Sequence, residues 1–316
     1  MDLLPILKGL ATFVVSPTSK ARGILHRAPH GGGRFAKYCY GVWLKHAALL
    51  GEQGCVPNAG HIAEFGPGES LGVGLAALLS GAQTYSAFDA VPVASFEHSS
   101  ELLDDLAKLL SNRAGRPTRG FPNFDHLLDE NSFPSGILVD SALEASLRPQ
   151  RIAAVRAALD ALARGEPSSL IRYQAPWNAT AVMDGTIDVI FSHSVLQYVE
   201  DLDAFYSECR RWLRRDGWMS HHIDLSSMNV TRVWNAHWSY SPRLWKAVRG
   251  ARPFFLTART SSEHVAAMDR NGFRLCKIDR AMEQGIARQQ LSEDRKGMSD
   301  DDLGCKSMFA IAQKVG

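Results

Sequence analysis

The sequence has few of the features that mark secreted, metal-binding or membrane-spanning proteins. It contains five cysteines, an odd number, and none lies in a CxxC pair or near a histidine at metal-ligand spacing. No apolar run reaches the ~18–20 residues that a spanning helix needs, and the N-terminus offers no convincing small-residue cleavage site. We therefore expect a cytoplasmic protein that holds no metal and inserts no stable segment into a membrane.

Concentrated charge of one sign is also missing. The formal net charge is +2, and although both ends of the chain are basic, Lys and Arg are too dispersed for a nucleic-acid-binding surface. Apolar residues make up 45% of the chain and charged residues 22%, which is ordinary globular composition. The sequence therefore predicts one decorated globular domain without a nucleic-acid partner.

The N-terminus carries a helical pattern instead of a targeting signal. Leu3, Leu7, Leu10 and Val14 recur at the spacing of one helix face. Three partners remain open for this apolar face: the body of the protein, a second copy of the chain in a homodimer, or a membrane surface in weak peripheral contact.

Residues 61–91 predict a strand, a glycine-rich loop, a helix and a second strand. Gly66, Gly68 and Gly72 follow a G-x-G-x-x-x-G spacing, and glycine is needed where a backbone turns sharply or lies against a ligand. Asp89 ends the second strand about 20 residues after the loop, where Rossmann-type sites hold a ribose. Because a dinucleotide site has the shorter G-x-G-x-x-G spacing, an NAD-dependent oxidoreductase is the disfavoured alternative.

The run E-F-G-P-G-E-S-L-G, followed by a strand that ends in Asp, resembles motifs I and II of class I S-adenosylmethionine (SAM)-dependent methyltransferases. The resemblance implies an α/β fold with a Rossmann-like, doubly wound, seven-stranded sheet. It also implies that the glycine loop lines the methionine part of SAM, that Glu64 steadies the loop or the ammonium group, and that Asp89 holds the ribose. A helix before the first strand would cover the SAM carboxylate. The cofactor residues implied in these two regions are Glu64, Gly66, Pro67, Gly68, Asp89, Ala90, Arg34 and Tyr38.

A second block, residues 168–225, resembles motifs III to VI of the type 11 methyltransferases. Its strands LIRY and DVIF are followed by an amphipathic helix from Leu202 to Leu213, which we expect Gly217 to end, and then by the strand WMSHHIDL. Many members of the family have D-A in the first of these motifs. Gln174 and Ala175 stand at that position here, and Gln174 can still bond the adenine amine. Ser192 and His193, at the end of DVIFSH, complete the implied cofactor site.

The motifs and the segments around them predict the following domain organisation. A helical extension covers residues 1–58 and the SAM-binding domain residues 59–316. Inside that domain, an insertion of about residues 92–167, with helices near 98–113 and 149–164, separates strands two and three. A further segment of about residues 225–262 lies on the acceptor side. The C-terminal runs NGFRLCKIDRAME and SMFAIAQKV predict strands six and seven.

Histidines are the candidate bases. In open α/β sheets the ligand binds at the carboxyl ends of the strands, so His193, His221 and His222 are candidates to deprotonate a hydroxyl acceptor. Adjacent strand residues point to opposite faces, so at most one of His221 and His222 is expected to enter the site. The side chains expected to bind the acceptor are Asp224, Asn235, His237, Trp238 and Tyr240, because aromatic rings beside polar groups suit a saccharide or another flat polar molecule.

The sequence thus predicts a SAM-dependent methyltransferase that releases S-adenosylhomocysteine and methylates an oxygen of a small-molecule or saccharide acceptor. An N-methyltransferase, which needs positioning more than a base, is the first alternative. A SAM-binding regulatory or partner protein without turnover is the second, because fold does not fix function.

Overall fold

The computed structural model describes residues 2–14, 33–57, 60–116 and 132–316. The remaining parts of the predicted N-terminal extension, and most of the loop GRPTRGFPNF in the predicted insertion, lie outside these ranges. The predicted division into residues 1–58 and 59–316 stays a prediction.

Strands and helices alternate through most of the described chain. The strands are β1 (His61–Phe65), β2 (Thr84–Phe88), β3 (Ile171–Gln174), β4 (Ile187–His193), β5 (Leu213–Asp224), β6 (Phe273–Met282) and β7 (Cys305–Lys314). The helices are α1 (Leu4–Val14), α2 (Ala36–Glu52), α3 (Gly72–Leu79), α4 (Ser99–Ser111), α5 (Asp140–Ser146), α6 (Pro149–Ala163), α7 (Leu202–Trp212), α8 (Pro242–Arg249), α9 (Ser261–Arg270) and α10 (Asp300–Gly304).

The described strands form one sheet in the order β3-β2-β1-β4-β5-β7-β6. β1 to β5 are parallel to one another, and β7 is antiparallel to both β5 and β6. The first strands are short, apolar and buried on both faces, as parallel strands covered by helices must be. This seven-stranded mixed sheet confirms the predicted class I methyltransferase fold.

Helices cover both faces of the sheet and create two cores. On one face α2, α3, α4 and α6 pack onto the sheet, and Trp43, Tyr85 and Phe191 lie in that core. On the other face α7 and α9 enclose Phe65, Tyr206 and Trp212. β1 lies between β2 and β4, so the strand order reverses there, and a crevice at the carboxyl ends of these strands is the expected ligand site.

The end of α7 differs from its prediction. The helix ends at Trp212, and Leu213 is extended and pairs with Ile187 as the first residue of β5. Residues 214–217 form an irregularity in the pairing of β5 with β4, where Asp216 has a φ of +59°, so Gly217 does not cap the helix. The prediction was wrong because the apolar spacing that placed Leu213 on the helix also fits the first buried position of the strand.

α1 packs onto the body of the protein through the face opposite its leucines. Pro5, Gly9 and Thr12 face the body of the protein, whereas Leu3, Leu7, Leu10 and Phe13 are exposed on the opposite side. A Cβ built on Gly9 would lie 2.1 Å from the carbonyl oxygen of Ala247 in α8. Packing of the leucine face onto the body of the protein is therefore wrong, because close backbone contact through small residues holds the helix instead.

The five cysteines are all free. Cys39, Cys55, Cys209 and Cys305 are buried, while Cys276 is half-buried. Cys276 lies on β6, at the edge of the sheet, where the pairing register with β7 shifts between Leu275 and Lys277.

Candidate functional site

The loop after β1 has the backbone shape that its glycines allow. Gly66 and Gly68 have φ angles of +69° and +73°, a region that other residues rarely adopt. A Cβ on Gly66 would lie 2.4 Å from a methyl carbon of Val195, so the loop after β4 packs directly against the loop after β1. A Cβ on Gly68 would meet no described atom within 4 Å. The backbone of Gly68 is therefore open to a ligand. Pro67 lies between the two glycines.

Glu64 is buried beneath this loop and is 2% exposed. Its carboxyl group accepts hydrogen bonds from the hydroxyl of Tyr85 and from the backbone N–H of Gly74, near the start of α3. A Cβ on Gly74 would lie 2.0 Å from the ring of Tyr85, so only glycine leaves room for this ring. Burial raises the pKa of Glu64 to about 8, although both hydrogen bonds oppose the shift. Glu64 therefore ties β1, β2 and the start of α3 together.

Asp89 follows β2 at the same edge of the sheet. Its carboxylate accepts a hydrogen bond of 2.8 Å from the backbone N–H of the exposed Ala90. Burial raises the pKa of Asp89, and hydrogen bonds from Ala90, Val91 and Gly68 oppose that shift. The hydrogen bond from Gly68 joins the glycine loop to this carboxylate, so the two parts of the predicted cofactor site lie together.

The end of β3 lies beside Asp89. The backbone N–H of Asp89 donates to the carbonyl of Gln174 over 3.1 Å. The side-chain oxygen of Gln174 accepts a hydrogen bond of 2.8 Å from Arg172. The NH₂ group of Gln174 therefore remains available to donate to an acceptor atom of a ligand. Ala175 comes next in the chain.

Two residues near the start of α2 were expected to bind the SAM carboxylate. The guanidinium of Arg34 makes two hydrogen bonds with Glu69, of 2.7 Å and 3.2 Å, and Glu69 directly follows Gly68 in the glycine loop. Tyr38 packs edge-on against His193 with ring centres 6.4 Å apart, and burial raises its pKa to about 12. Arg34 therefore already has an anionic partner, whereas Tyr38 lies beside a candidate base.

His193 and His222 form a stacked pair at the carboxyl ends of β4 and β5. They are direct register partners, with ring centres 4.4 Å apart and planes 19° apart. The Nδ1 atom of His222 lies 3.0 Å from the hydroxyl of Ser194. Nδ1 of His193 and Nε2 of His222 are buried and have no hydrogen-bond partner among the described residues.

His46 of α2 extends this pair into a cluster. Its ring centre lies 5.6 Å from that of His193, and its Nδ1 atom lies 2.6 Å from the hydroxyl of Ser220. The neighbouring Lys45 is 5% exposed, with its ammonium 4.8 Å from the ring centre of Phe309. Sequence reasoning missed both residues. The available signal was a Lys-His pair inside the otherwise apolar stretch of α2.

Burial sets the protonation of the cluster. It lowers the pKa of His193 to about 3 and the pKa values of His222 and His46 well below their ordinary value, and nearby Lys45 contributes to each shift. The pKa of Lys45 falls to about 8, again chiefly through burial, while Asp279 opposes the change. At neutral pH the imidazoles are therefore uncharged and can accept protons or hydrogen bonds.

His221 lies on the opposite face of the sheet, as the alternation of strand residues dictates. It is fully buried, its Nδ1 atom lies 2.8 Å from the hydroxyl of Ser192, and its ring packs against Tyr206. The structure therefore brings His193 and His222 together and places His221 and the side chain of Ser192 in the other core.

The predicted acceptor residues are divided between two places. Asp224 ends β5 and accepts a hydrogen bond of 2.8 Å from the backbone N–H of Ser226. Asn235 is fully buried and joins two loops, because its amide donates to Leu303 and its oxygen accepts from Ile286. The remaining three, which share one cavity wall, are His237, Trp238 and Tyr240.

That cavity has a volume of about 470 Å³, within the range of small-molecule sites. Its aromatic and apolar walls come from the segment between β5 and α9, and Arg295 and Asp294 close one side. The loop after β4 is connected to it, because the backbone N–H and the hydroxyl of Thr257 both bond the carbonyl of Gln197.

Within the described residues, no group of three or more His, Cys, Asp or Glu side chains has an arrangement suited to a metal ion. Over the same residues, no helix combines the length and the apolar character needed to cross a membrane.

Comparisons with known proteins find one family-model match and several distant similarities to solved structures. Residues 145–220 match a family model described as a methyltransferase domain. A solved SAM-dependent methyltransferase from Methanosarcina mazei is similar at 11% identity, covering 82% of this chain and 93% of that one with a TM-score of 0.40. One from Mesorhizobium loti is similar at 12% identity, with 86% and 100% covered and a TM-score of 0.41.

A geranyl diphosphate methyltransferase solved with its substrate and sinefungin is similar at 13% identity. The alignment covers 86% of this chain and 78% of that one, with a TM-score of 0.42. No curated protein matches the chain in sequence.

Proposed function

We propose that this chain, a class I SAM-dependent methyltransferase, methylates a hydroxyl group of a small-molecule acceptor and uses His193 as the proton acceptor. The observation that carries the proposal is the position of His193. It ends β4, stacks on His222 and carries a buried Nδ1 without a partner among the described residues, directly before the Ser194–Val195 turn that packs on Gly66.

The residues at the cofactor site fit SAM in shape and chemistry. The open space at Gly68 allows a ligand to approach the backbone, and Asp89 offers a carboxylate to two neighbouring hydroxyls of a ribose. Gln174 offers its amide to an adenine. In this proposal Glu64 acts beneath the loop rather than on the ligand, since both of its hydrogen bonds hold protein segments. When bound, SAM supplies an activated methyl group.

His193 suits hydroxyl methylation despite its low pKa. A neutral imidazole can accept a hydrogen bond from the acceptor hydroxyl and so fix its oxygen in line with the methyl group. The hydroxyl proton becomes strongly acidic as the new C–O bond forms, so even a weak base can take it at that stage. The neighbouring His222, held by Ser194, limits the orientations of the His193 ring.

The acceptor side of the proposal includes Asp224 and the cavity residues His237, Trp238 and Tyr240. Asn235 supports the loops around the cavity rather than the acceptor, because both ends of its amide are already bonded. His221 is likewise left out of the chemistry, since its ring is enclosed on the other face of the sheet. We also propose a cytoplasmic location.

The first test is calorimetric titration with S-adenosylhomocysteine and, separately, with NAD. Micromolar binding of S-adenosylhomocysteine supports the proposal, and binding of NAD alone contradicts it. A protein that binds S-adenosylhomocysteine but transfers no methyl group to any hydroxyl or amine would support the non-catalytic alternative.

The choice between oxygen and nitrogen is tested with paired acceptors. Once an acceptor hydroxyl is found by methyl transfer from labelled SAM, its amine analogue is assayed with wild type and with His193→Ala. Under the proposal the variant loses O-methylation much more strongly than N-methylation, because an amine needs no base before attack. Equal losses on both acceptors would contradict the assigned role.

A further inference from the structure

The cavity of about 470 Å³ between β5 and α9 has walls that restrict the chemistry of its ligand. Three of its aromatic residues have their polar atoms bonded to backbone carbonyls: Trp238 to Ala258, Trp245 to Leu256, and Tyr240 to Asp2. Their rings therefore present apolar surface to the cavity, together with Phe255 and Leu256.

One polar atom in this wall has no partner among the described residues. His237 is 2% exposed, and its Nδ1 atom is buried without a hydrogen-bond partner among the described residues. Burial, and then Arg295, lowers the pKa of His237 to about 3, so the ring is neutral. A neutral imidazole nitrogen can accept or donate one hydrogen bond, and a hydroxyl group of a ligand would satisfy Nδ1 in either tautomer.

The charged residues around the cavity are mostly basic. Arg249 pairs with Glu200, and both Arg259 and Arg295 contact Glu263. Lys246 also lines the cavity, is exposed, and has no ion-pair partner in the described part of the chain. An unpaired ammonium next to an apolar cavity favours an anionic group on the ligand.

We propose that this cavity binds the acceptor as a flat, apolar anion, with the rings enclosing its body and Lys246 facing its carboxylate or phosphate. His237 bonds a hydroxyl group of the acceptor other than the one that is methylated. The proposal rests on the proposed methyltransferase function and names the class of acceptor. A saccharide fits less well, because the aromatic and aliphatic side chains that enclose the cavity would leave several of its hydroxyls without a hydrogen-bond partner.

The test uses three related probes, titrated by calorimetry and by quenching of tryptophan fluorescence. 6-Hydroxy-2-naphthoate has both recognised groups, 2-naphthoate lacks the hydroxyl, and 2-naphthol lacks the anion. The first should bind with micromolar affinity, and each of the others should bind at least fivefold more weakly. Equal binding of all three, binding of the first weaker than millimolar, or tighter binding of methyl glucopyranoside would overturn the proposal.

Variants on the surface of α8 separate the anion contact from general charge. Lys246→Glu should weaken binding of the two naphthoates at least fivefold and leave 2-naphthol within twofold. Arg243→Glu makes the same charge change on an exposed residue of α8 that does not line the cavity, and should leave all three probes within twofold. Equal effects of the two variants would overturn the role of Lys246.

His237→Leu tests the hydroxyl contact and should bring 6-hydroxy-2-naphthoate down to the affinity of 2-naphthoate. If this variant does not fold, the comparison of the three probes on wild type still decides the question. Titration of S-adenosylhomocysteine into the same samples keeps the two proposals apart. Binding of S-adenosylhomocysteine without probe discrimination overturns only the acceptor class, whereas its absence overturns the methyltransferase function on which the proposal rests.

Discussion

The hydroxyl of Tyr85 donates a hydrogen bond to the buried carboxyl group of Glu64, across the neighbouring strands β2 and β1. The backbone N–H of Gly74 bonds the same carboxyl group from α3. This arrangement fixes the direction in which the chain leaves β1, and therefore the shape of the loop at Gly66 and Gly68. The proposed cofactor site thus depends on a buried residue whose carboxyl group bonds protein atoms beneath the loop.

The first prediction concerns pH and Glu64. Its folded pKa of about 8 lies above its ordinary value of 4.5, so its contribution to stability is complete below about pH 4.5 and is lost as pH rises to about 8. Between pH 5 and 8.5, Glu64→Gln should therefore lose about 4 kcal/mol less unfolding free energy than wild type. Urea unfolding of the ligand-free protein measures this, with the exposed Glu97→Gln as control. Parallel pH curves for wild type and Glu64→Gln would contradict the prediction.

The second prediction concerns the space beside Tyr85. Gly74→Ala places a Cβ 2.0 Å from the ring, so the ring must move away from Glu64, and we expect a loss of about 1–3 kcal/mol. Thermal unfolding should show a clearly lowered Tm. Gly136→Ala is the matched control, because a Cβ there meets no described atom within 4 Å. If Gly74→Ala were as stable as this control, the Tyr85 ring would be able to move aside at little cost in stability.

The third prediction concerns the ribose. Asp89→Ala should weaken binding of S-adenosylhomocysteine at least tenfold, because it removes the carboxylate that we propose to bind the ribose hydroxyls. Calorimetry measures the change, and Asp105→Ala on the exposed side of α4 provides the control. Unchanged affinity in Asp89→Ala would place the ribose elsewhere.

The fourth prediction concerns the base. His193→Ala should lower kcat at least ~10²-fold and leave the affinity for S-adenosylhomocysteine within a few fold, because the lost interaction belongs to proton transfer. Steady-state assays with the identified acceptor measure it. His98→Ala, at an exposed position before α4, should retain wild-type kcat. Full activity of His193→Ala would exclude this residue from the mechanism.

The fifth prediction concerns α1. Gly9→Leu cannot keep its contact with Ala247 of α8, so we expect the helix to detach and trypsin to cleave at Lys8 at least tenfold faster. Ala11→Leu adds the same side chain on the exposed face and should cleave at the wild-type rate. Similar cleavage of both variants would mean that the close contact does not hold the helix.

The sequence was most informative where local pattern and topology agree. The strands β1, β2 and β4 are short apolar runs, and their carboxyl ends meet in any doubly wound sheet, so Asp89 and His193 could be placed at one edge. The alternation of side chains along β5 correctly separated His221 from His222. The existence of seven strands followed from this pattern together with the family resemblance, although the start of β5 did not.

Other features depend on contacts that no local pattern contains. Leu213 fits helix and strand spacing equally well, and only its pairing with Ile187 decides between them. The leucines of α1 suggested a packing face, but the deciding residue is Gly9, which has no side chain to signal it. Lys45 and His46 acquire their significance from β4 and β5, which lie more than a hundred residues later in the chain.

The buried cysteines lie on different faces of the sheet, so the rate at which a thiol reagent modifies each one would report local opening of that face. A thiol reagent should modify Cys276 on the edge strand at once and reach Cys39, Cys55, Cys209 and Cys305 only when their surroundings open. With Cys276→Ser as the background, the labelling rate of Cys39 would time the opening of α2 above the histidine cluster. The rate at Cys209 would time the opening of the opposite core, so a ligand that closes one side of the sheet would be seen to slow one thiol and spare the other.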